Sequence, residues 1–197
     1  MIGAYMAVQN TNDATNVGVG KPKVTGAAFI AEAKTTLPTD ASTELDGKFK
    51  CMGYCSEDGI SITEERDSSD ITAWGGDTVY TAQTSYKESF SFTPIEINPT
   101  VMRATYGKDN VKVELGKMSI THNAAELPEC PIVIETVPNS KTVTRYVIPR
   151  AKLTEKGDAS LNGSDPMGRE LTFAALPDDK GNTMYEYHAI TGLTAEA

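Results

Sequence analysis

The chain has 197 residues, of which 39% are hydrophobic and 23% charged, so it can bury one core and is not disordered throughout. No run approaches the roughly 20 apolar residues of a membrane helix, and residues 1–16 lack the basic and apolar regions of a signal peptide. The formal net charge is −9, the opposite of the Lys- and Arg-rich surfaces that hold nucleic-acid phosphates.

The N-terminal part of the chain is polar at first and then apolar. Residues 1–25 are rich in Gly and Asn and aperiodic, which predicts an N-terminal arm. The segment AAFIAEAK, residues 27–34, lies between Gly26 and TTLP, and we expect a strand there. The three cysteines, Cys51, Cys55 and Cys130, include no second pair and have no nearby histidine. A zinc site is therefore less favoured than reduced, partly buried thiols. Such thiols indicate a protein that folds in a reducing cytosol.

An acidic segment follows between residues 57 and 77, where Arg66 is the one base. Its seven acids are Glu57, Asp58, Glu64, Glu65, Asp67, Asp70 and Asp77. We interpret it as a connection between strands, either a solvated surface or an interaction loop. It ends at Trp74-Gly75-Gly76, which could be a ligand platform, a hinge or a corner. Because no ligand-binding group lies nearby, we expect Trp74 to anchor the loop base and the glycines to bend the chain.

Most of the remaining chain alternates with a period of two, which predicts strands with one polar and one apolar face. The segments are YTAQTSY, ESFSF, VKVEL, PIVIETV, TVTRYVI, RELTFAAL and TMYEYHAI. Strands of this kind indicate antiparallel sheets packed as a sandwich or barrel. The alternation slips at Pro94, which predicts a bulge or kink.

One segment, NPTVMRATYG, predicts a helix over residues 99–106 that lies over one end of the core. Asn98 is suited to cap it, Pro99 to occupy its first position and Gly107 to end it. Val101, Met102, Thr105 and Tyr106 form the predicted buried stripe.

Chemistry-bearing residues are sparse. His122 and His188 have no nucleophile or ligand set beside them in the sequence. GVGKP at residues 18–22 lacks the spacing of a phosphate loop, and GDASLNGSD lacks the alternating acids of a calcium loop. We therefore expect no catalytic residue, no cofactor and no metal site. Residues 141–156 carry five bases against Glu155 and could complement the acidic segment or line a channel.

The order of several short motifs resembles major tail tube proteins of long, non-contractile-tailed bacteriophages. They are TNVGVGKPKVTGAAFIA, LDGKFKCMGYCSEDGI, TAWGGDTVYTAQTS, FSFTPIE, NPTVMRATYG and ALPDDKGNTMYEYHAITG. The resemblance spans nearly the whole chain, and the stretch 130–166 matches least. It implies a single domain that is an antiparallel β-sandwich or half-barrel with one flanking α-helix.

The resemblance also implies a function. Six copies would form a ring, and rings would stack into a virion tail tube, assembled in the host cytoplasm, that conducts DNA and ejection proteins. Tail initiator, tape-measure and terminator proteins would be partners, and DNA would pass without specific binding. A long loop between early strands and the terminal arms would contact the next ring, which places Glu64, Glu65, Asp67 and Asp70 at that contact.

Two other readings stay open. The inner tube of a contractile tail or secretion-type injection machine shares the fold. A surface adhesion module of sandwich fold belongs to a different class, and it should carry a signal peptide and paired cysteines. The predicted protein is in each case structural and not an enzyme.

Overall fold

The structure is a computed structural model that describes residues 12–159 and 161–193. Within these residues it contains one α-helix and ten strands, joined by turns and two short 3₁₀ segments. The strands are β1 (Ala28–Ile30), β2 (Lys50–Cys51), β3 (Cys55–Thr72), β4 (Thr78–Pro94), β5 (Val111–Glu114), β6 (Lys117–Ile120), β7 (Cys130–Asn139), β8 (Thr142–Lys156), β9 (Leu171–Leu176) and β10 (Tyr185–Ile190). The helix, α1, is Pro99–Tyr106. No helix in the described residues is long and apolar enough to cross a membrane.

Eight of the strands form one antiparallel sheet, in the order β2-β1-β7-β8-β9-β4-β3, with β10 also paired to β8. β5 and β6 form a separate two-stranded hairpin. The two end strands of the path, β2 and β3, are consecutive in the chain, and residues 52–54 join them. Met52 N–H donates to the Ala28 carbonyl, and Ile95 N–H donates to that of Tyr54. The sheet therefore curls back towards itself, and the predicted antiparallel β fold with one flanking helix is confirmed.

The main core lies on one face of this curled sheet. The register places Leu153, Phe173, Phe90 and Ile62 side by side across β8, β9, β4 and β3. The rings of Phe90 and Phe173 stack at 5.2 Å between centroids. Both phenylalanines are about 99% buried. Burial of such large apolar side chains is the main favourable term in folding, and it fixes the register of these four strands.

Helix α1 closes one end of the core as predicted. The Asn98 side chain accepts a hydrogen bond from Val101 N–H at 2.9 Å, and Gly107 ends the helix with φ of 92°. Val101 and Thr105 are buried, and Met102 packs against the core while half-buried. The cap, the Pro99 start and the apolar stripe therefore all behave as the sequence predicted.

A second, smaller core lies on the opposite face, where Phe29 and Phe49 pack with Val133 and Val147. Beside it, Arg145 and Glu135 form a salt bridge in which each residue is only 1% exposed. Arg145 also donates to the Asp40 carbonyl at 2.7 Å. The ion pair thus fixes the segment around Asp40 to the sheet.

Two sequence interpretations need correction or limitation. The predicted connection 57–77 is not a loop, because β3 runs through to Thr72 and leaves only residues 73–77 in a turn. In the predicted N-terminal arm, residues 1–11 lie outside the described part. Residues 12–25 are mostly exposed and lie along β7, where Pro22 bridges to Thr136. The predicted irregularity at Pro94 is present as a register shift between Cys55 and Ile60 on the paired strand.

Candidate intersubunit surface

The most prominent surface feature is the outer part of the β3–β4 hairpin, residues 65–87, which we call the arm. β9 pairs with β4 only from Glu88 to Phe92. Beyond that point, β3 and β4 pair with each other and with no other strand of the described residues. Nearly every residue of the arm is exposed. At about 3.3 Å per residue, the arm projects about 25 Å from the sheet.

The four acids predicted to contact a neighbouring ring lie on or beside the arm, but the structure divides them between two faces. Strand alternation puts Glu64 and Asp70 on one face, and Glu65 and Asp67 on the other. Asp70 accepts from Thr81 at 2.7 Å, and Asp67 accepts from Ser85 at 2.6 Å. The predicted acids therefore do not form one cluster.

Arg66 offsets part of the charge on the arm. Its Nε lies 2.6 Å from Glu64 Oε1, and its guanidinium lies 4.7 Å from the centre of the Tyr86 ring. The hydrogen bond to Glu64 raises the pKa of Arg66. On the other face, Glu65 is directly opposite Lys87. The local electrostatics of the arm are thus partly balanced within the hairpin.

The tip of the arm is apolar. Trp74 is fully exposed, and Ile71, Val79 and Tyr80 are each more than half exposed. Gly75 and Gly76 adopt φ of 129° and 99°, which suits the tight turn. The prediction that the glycines bend the chain is confirmed, but Trp74 anchors nothing within the described residues. Exposed apolar groups gathered in this way are typical of protein–protein contact sites.

Three of the five bases at residues 141–156 are paired with acids, so the segment does not supply a free patch of five positive charges. Arg145 is buried against Glu135. Arg150 pairs with Glu129 at 2.7 Å, and Lys152 pairs with Glu126. Sequence reasoning missed these pairs because the acids come from residues 126–135, outside the basic segment.

A groove of about 1140 Å³ lies between the base of the β3–β4 hairpin, the N-terminal residues and β10. In it, His188 Nδ1 lies 2.9 Å from Thr144 Oγ1, and His188 Nε2 lies 3.1 Å from Glu186 Oε1. These contacts orient the imidazole, but they provide no nucleophile. No group of three or more His, Cys, Asp or Glu in the described residues could hold a metal ion.

The cysteines are free and half-buried, as the sequence predicted. Burial raises the pKa of Cys130 to about 12. Burial, with smaller contributions from Cys51 and Glu96, raises that of Cys55 to about 11. Since the thiolate is the nucleophilic form, these two thiols are unreactive near neutral pH.

The comparison with protein-family models agrees with the sequence resemblance. A family model described as "Phage tail tube protein" matches residues 12–190. No curated protein matches the sequence. One similar solved structure is the cap of the anti-feeding prophage, with 9% identity, a TM-score of 0.45, and 93% of this chain and 100% of that chain covered. Another is the sheath-tube complex of an extracellular contractile injection system, PVC, in its extended state. It has 9% identity, a TM-score of 0.45, and 91% and 100% coverage.

The family match covers most of the chain, including the curled sheet, the arm and α1. Members of this family are structural components of phage tails. The chain belongs to the phage tail tube protein family.

Proposed function

We propose that this protein is the building block of a long, non-contractile phage tail, in which six copies close into a ring and rings stack into a tube. The tube would conduct DNA and ejection proteins. A ring needs a contact that closes on itself, and stacking needs a second contact that does not close. The family match supports the tube, and the arm is the observation that supports this assembly.

The arm has the properties of an element that is completed by a neighbouring subunit. Its outer backbone edges have no partner strand in the described residues. Within the part of the chain that the structure describes, β10 likewise pairs with β8 alone and has one free edge. Unpaired strand edges are a liability in a monomer unless another strand covers them. In the proposed ring, the arm of one copy pairs with a strand edge of the next.

The tip of the arm and the four acids on or beside the arm are assigned to contacts between rings. Ile71, Trp74, Val79 and Tyr80 provide apolar area. Glu64, Glu65, Asp67 and Asp70 provide charge that sets orientation and speeds encounter. The tail initiator, tape-measure and terminator proteins are the proposed partners. Assembly in the host cytoplasm is also part of the proposal.

Shortening the arm tests the proposal. Replacing Arg66–Tyr86 with Asn-Gly joins Glu65 to Lys87, which are already opposite each other, through a two-residue turn. Neither core includes a residue of the arm, so thermal melting should remain close to that of the parent protein. By negative-stain microscopy the parent should form rings and tubes, and the variant neither.

Analytical ultracentrifugation, with and without the tail initiator, provides the second measurement. The parent should form large assemblies, while the shortened variant should sediment as a folded monomer. A parent that stays monomeric at high concentration in both conditions would exclude the tube proposal. Normal tubes from the shortened variant would show that the arm does not join subunits.

A further inference from the structure

The wall formed by β3, β4, β9 and the end of β8 has two chemically different faces. One face carries Leu153, Phe173 and Phe90 of the core, with the partly exposed Ile62 at the end of the same row. The register places the neighbouring rows on the opposite face. Those rows contain six small side chains, which we call the hydroxyl face: Ser61, Thr63, Ser89, Ser91, Thr172 and Ala174.

The composition of the hydroxyl face is unusual for a solvated sheet surface. Serine is a poor strand former, and alanine is depleted in strands. Three serines and an alanine nevertheless occupy interior positions of three adjacent strands. Ser61 and Thr63 are exposed, and the other four side chains are half-buried. None is a core position at which close packing would require a small side chain. A surface of short side chains instead allows another molecule to pass close to the sheet.

The bases that border the hydroxyl face have acid partners. Lys152 is opposite Ala174 in the register and bonds to Glu126. Arg150, two residues earlier on β8, makes two hydrogen bonds to the Glu129 carboxylate, at 2.7 and 3.2 Å. These bonds lower the pKa values of Glu126 and Glu129.

The same pattern continues where the face runs onto the arm. Lys87 is opposite Glu65, and Asp67 accepts a hydrogen bond from Ser85. The part of the face that lies on the arm therefore carries more acidic than basic side chains. A phosphate that approached these rows would meet hydroxyl groups, carboxylates, Lys87, and the Arg150 and Lys152 side chains that are already paired with carboxylates.

We propose that the hydroxyl face lines the bore of the tube and is the surface past which duplex DNA moves. This inference rests on the proposed tube. Strong binding of DNA comes from lysine and arginine that replace counterions on phosphates. Hydroxyl groups form hydrogen bonds that exchange with water, and they release no counterions. The face therefore gives DNA a hydrated wall with little affinity, whichever sequence passes.

Two lysines on this face should convert the wall into a DNA-binding surface. Ser61 and Ser91 are opposite each other, so a Ser61→Lys/Ser91→Lys variant adds two cations to one row of every subunit. Tubes assembled in the presence of duplex DNA are treated with nuclease, sedimented and assayed for protected DNA. At ~50 mM salt the variant should retain on the order of tenfold more protected DNA than the parent, and the excess should vanish at high salt.

The matched control is Leu115→Lys/Leu161→Lys, which adds the same charge at two exposed positions outside the face and outside the N-terminal arm. Any DNA that it binds should be digested. If Ser61→Lys/Ser91→Lys tubes retain no more protected DNA than this control, the proposal is wrong. Failure of this proposal can be distinguished from failure of the tube proposal, because only assembled tubes are compared.

A variant that preserves side-chain size covers the case in which the lysine variant does not assemble. Ser91→Cys tubes are treated with a small maleimide or with a maleimide on a polymer wider than the bore. The parent gives the background from Cys51, Cys55 and Cys130. Labelling of Cys at position 91 by the small reagent alone is the expected result. Reaction with both reagents would place the face outside the tube, and reaction with neither would place it in a subunit interface. Either result overturns the proposal.

Discussion

At the scale of single residues, the buried pair of Arg145 and Glu135 has the largest expected effect on stability. Its formation requires removal of two charges from water, and the two groups then compensate each other in the interior. Lys23 provides a weaker second contact, 3.1 Å from Glu135 and half-buried. The loss of one partner is therefore much more costly than the loss of both.

Arg145→Met should lower the free energy of unfolding by about 3–5 kcal/mol, because it leaves the Glu135 charge buried with only Lys23 nearby. The double variant Arg145→Met/Glu135→Leu should recover a large part of that loss. Urea unfolding of the arm-shortened monomer provides the measurement, and Lys23→Ala is the control, with a loss below about 1 kcal/mol. Equal losses in the single and double variants would contradict this account.

Cys130 should make stability depend on alkaline pH. Burial raises its pKa to about 12 from the ordinary 9.0. The folded protein therefore keeps a proton that the unfolded chain releases. The contribution is constant below about pH 9 and falls as the pH rises towards 12, by up to about 1.4 kcal/mol per pH unit.

The measurement is urea unfolding of the parent and of Cys130→Ala under reducing conditions, with the pH raised in steps above 9. Cys130→Ala should be less stable than the parent below about pH 9, and the difference should shrink as the pH rises, because the stability of the variant falls less steeply. Other groups titrate equally in both proteins and cancel in the difference. Parallel curves would show that the thiol is not protected from ionisation by the fold.

At the scale of elements, helix α1 shows what local sequence determines well. The Asn98 cap, Pro99 and Gly107 predict both ends without reference to the rest of the chain, and the structure places the ends there. The strands of the core were also predictable, because burial of one face imposes alternation. In these segments the local sequence and the tertiary packing favour the same secondary structure.

β3 shows where such reasoning fails. Its outer half is exposed on both faces, so no buried side imposes a hydrophobic period. Pairing with β4 alone makes it a strand, and this pairing is not visible in a window of sequence. The acids predicted as a site lie on this strand, and their division between two faces follows from the alternation of the strand. The six side chains of the hydroxyl face were not singled out, because their grouping depends on the register of three strands.

Substitutions in α1 test how the helix contributes to the core. Val101→Asp should destabilise the fold by roughly 3 kcal/mol or more, since it buries an unpaired charge at a position only 4% exposed. Met102→Asp should cost less, because Met102 is half-buried. Arg103→Ala, on the exposed side, should change stability by no more than about 0.5 kcal/mol. Thermal melting that ranks the three variants otherwise would contradict the observed packing.

At the scale of the whole molecule, the acids of the β3–β4 hairpin can be tested as assembly contacts. Replacing Glu64, Glu65, Asp67 and Asp70 with serine should leave melting unchanged, shorten the tubes and reduce the dependence of assembly on salt. The control replaces four other exposed acids: Asp109, Glu114, Glu155 and Asp158. Tube length by microscopy is the readout, and normal tubes with unchanged salt dependence would assign the acids to solvation alone.

The exposed edges of the arm also have a consequence for the unassembled protein. Two arms that met outside a growing ring could pair edge to edge and start an irregular aggregate. Charged side chains along such strands act as gatekeepers against that reaction. The acids on β3 repel one another when two arms approach in most registers. The same carboxylates that we assign to ordered contacts should therefore delay disordered ones, so that the protein accumulates in soluble form until a tail begins to grow.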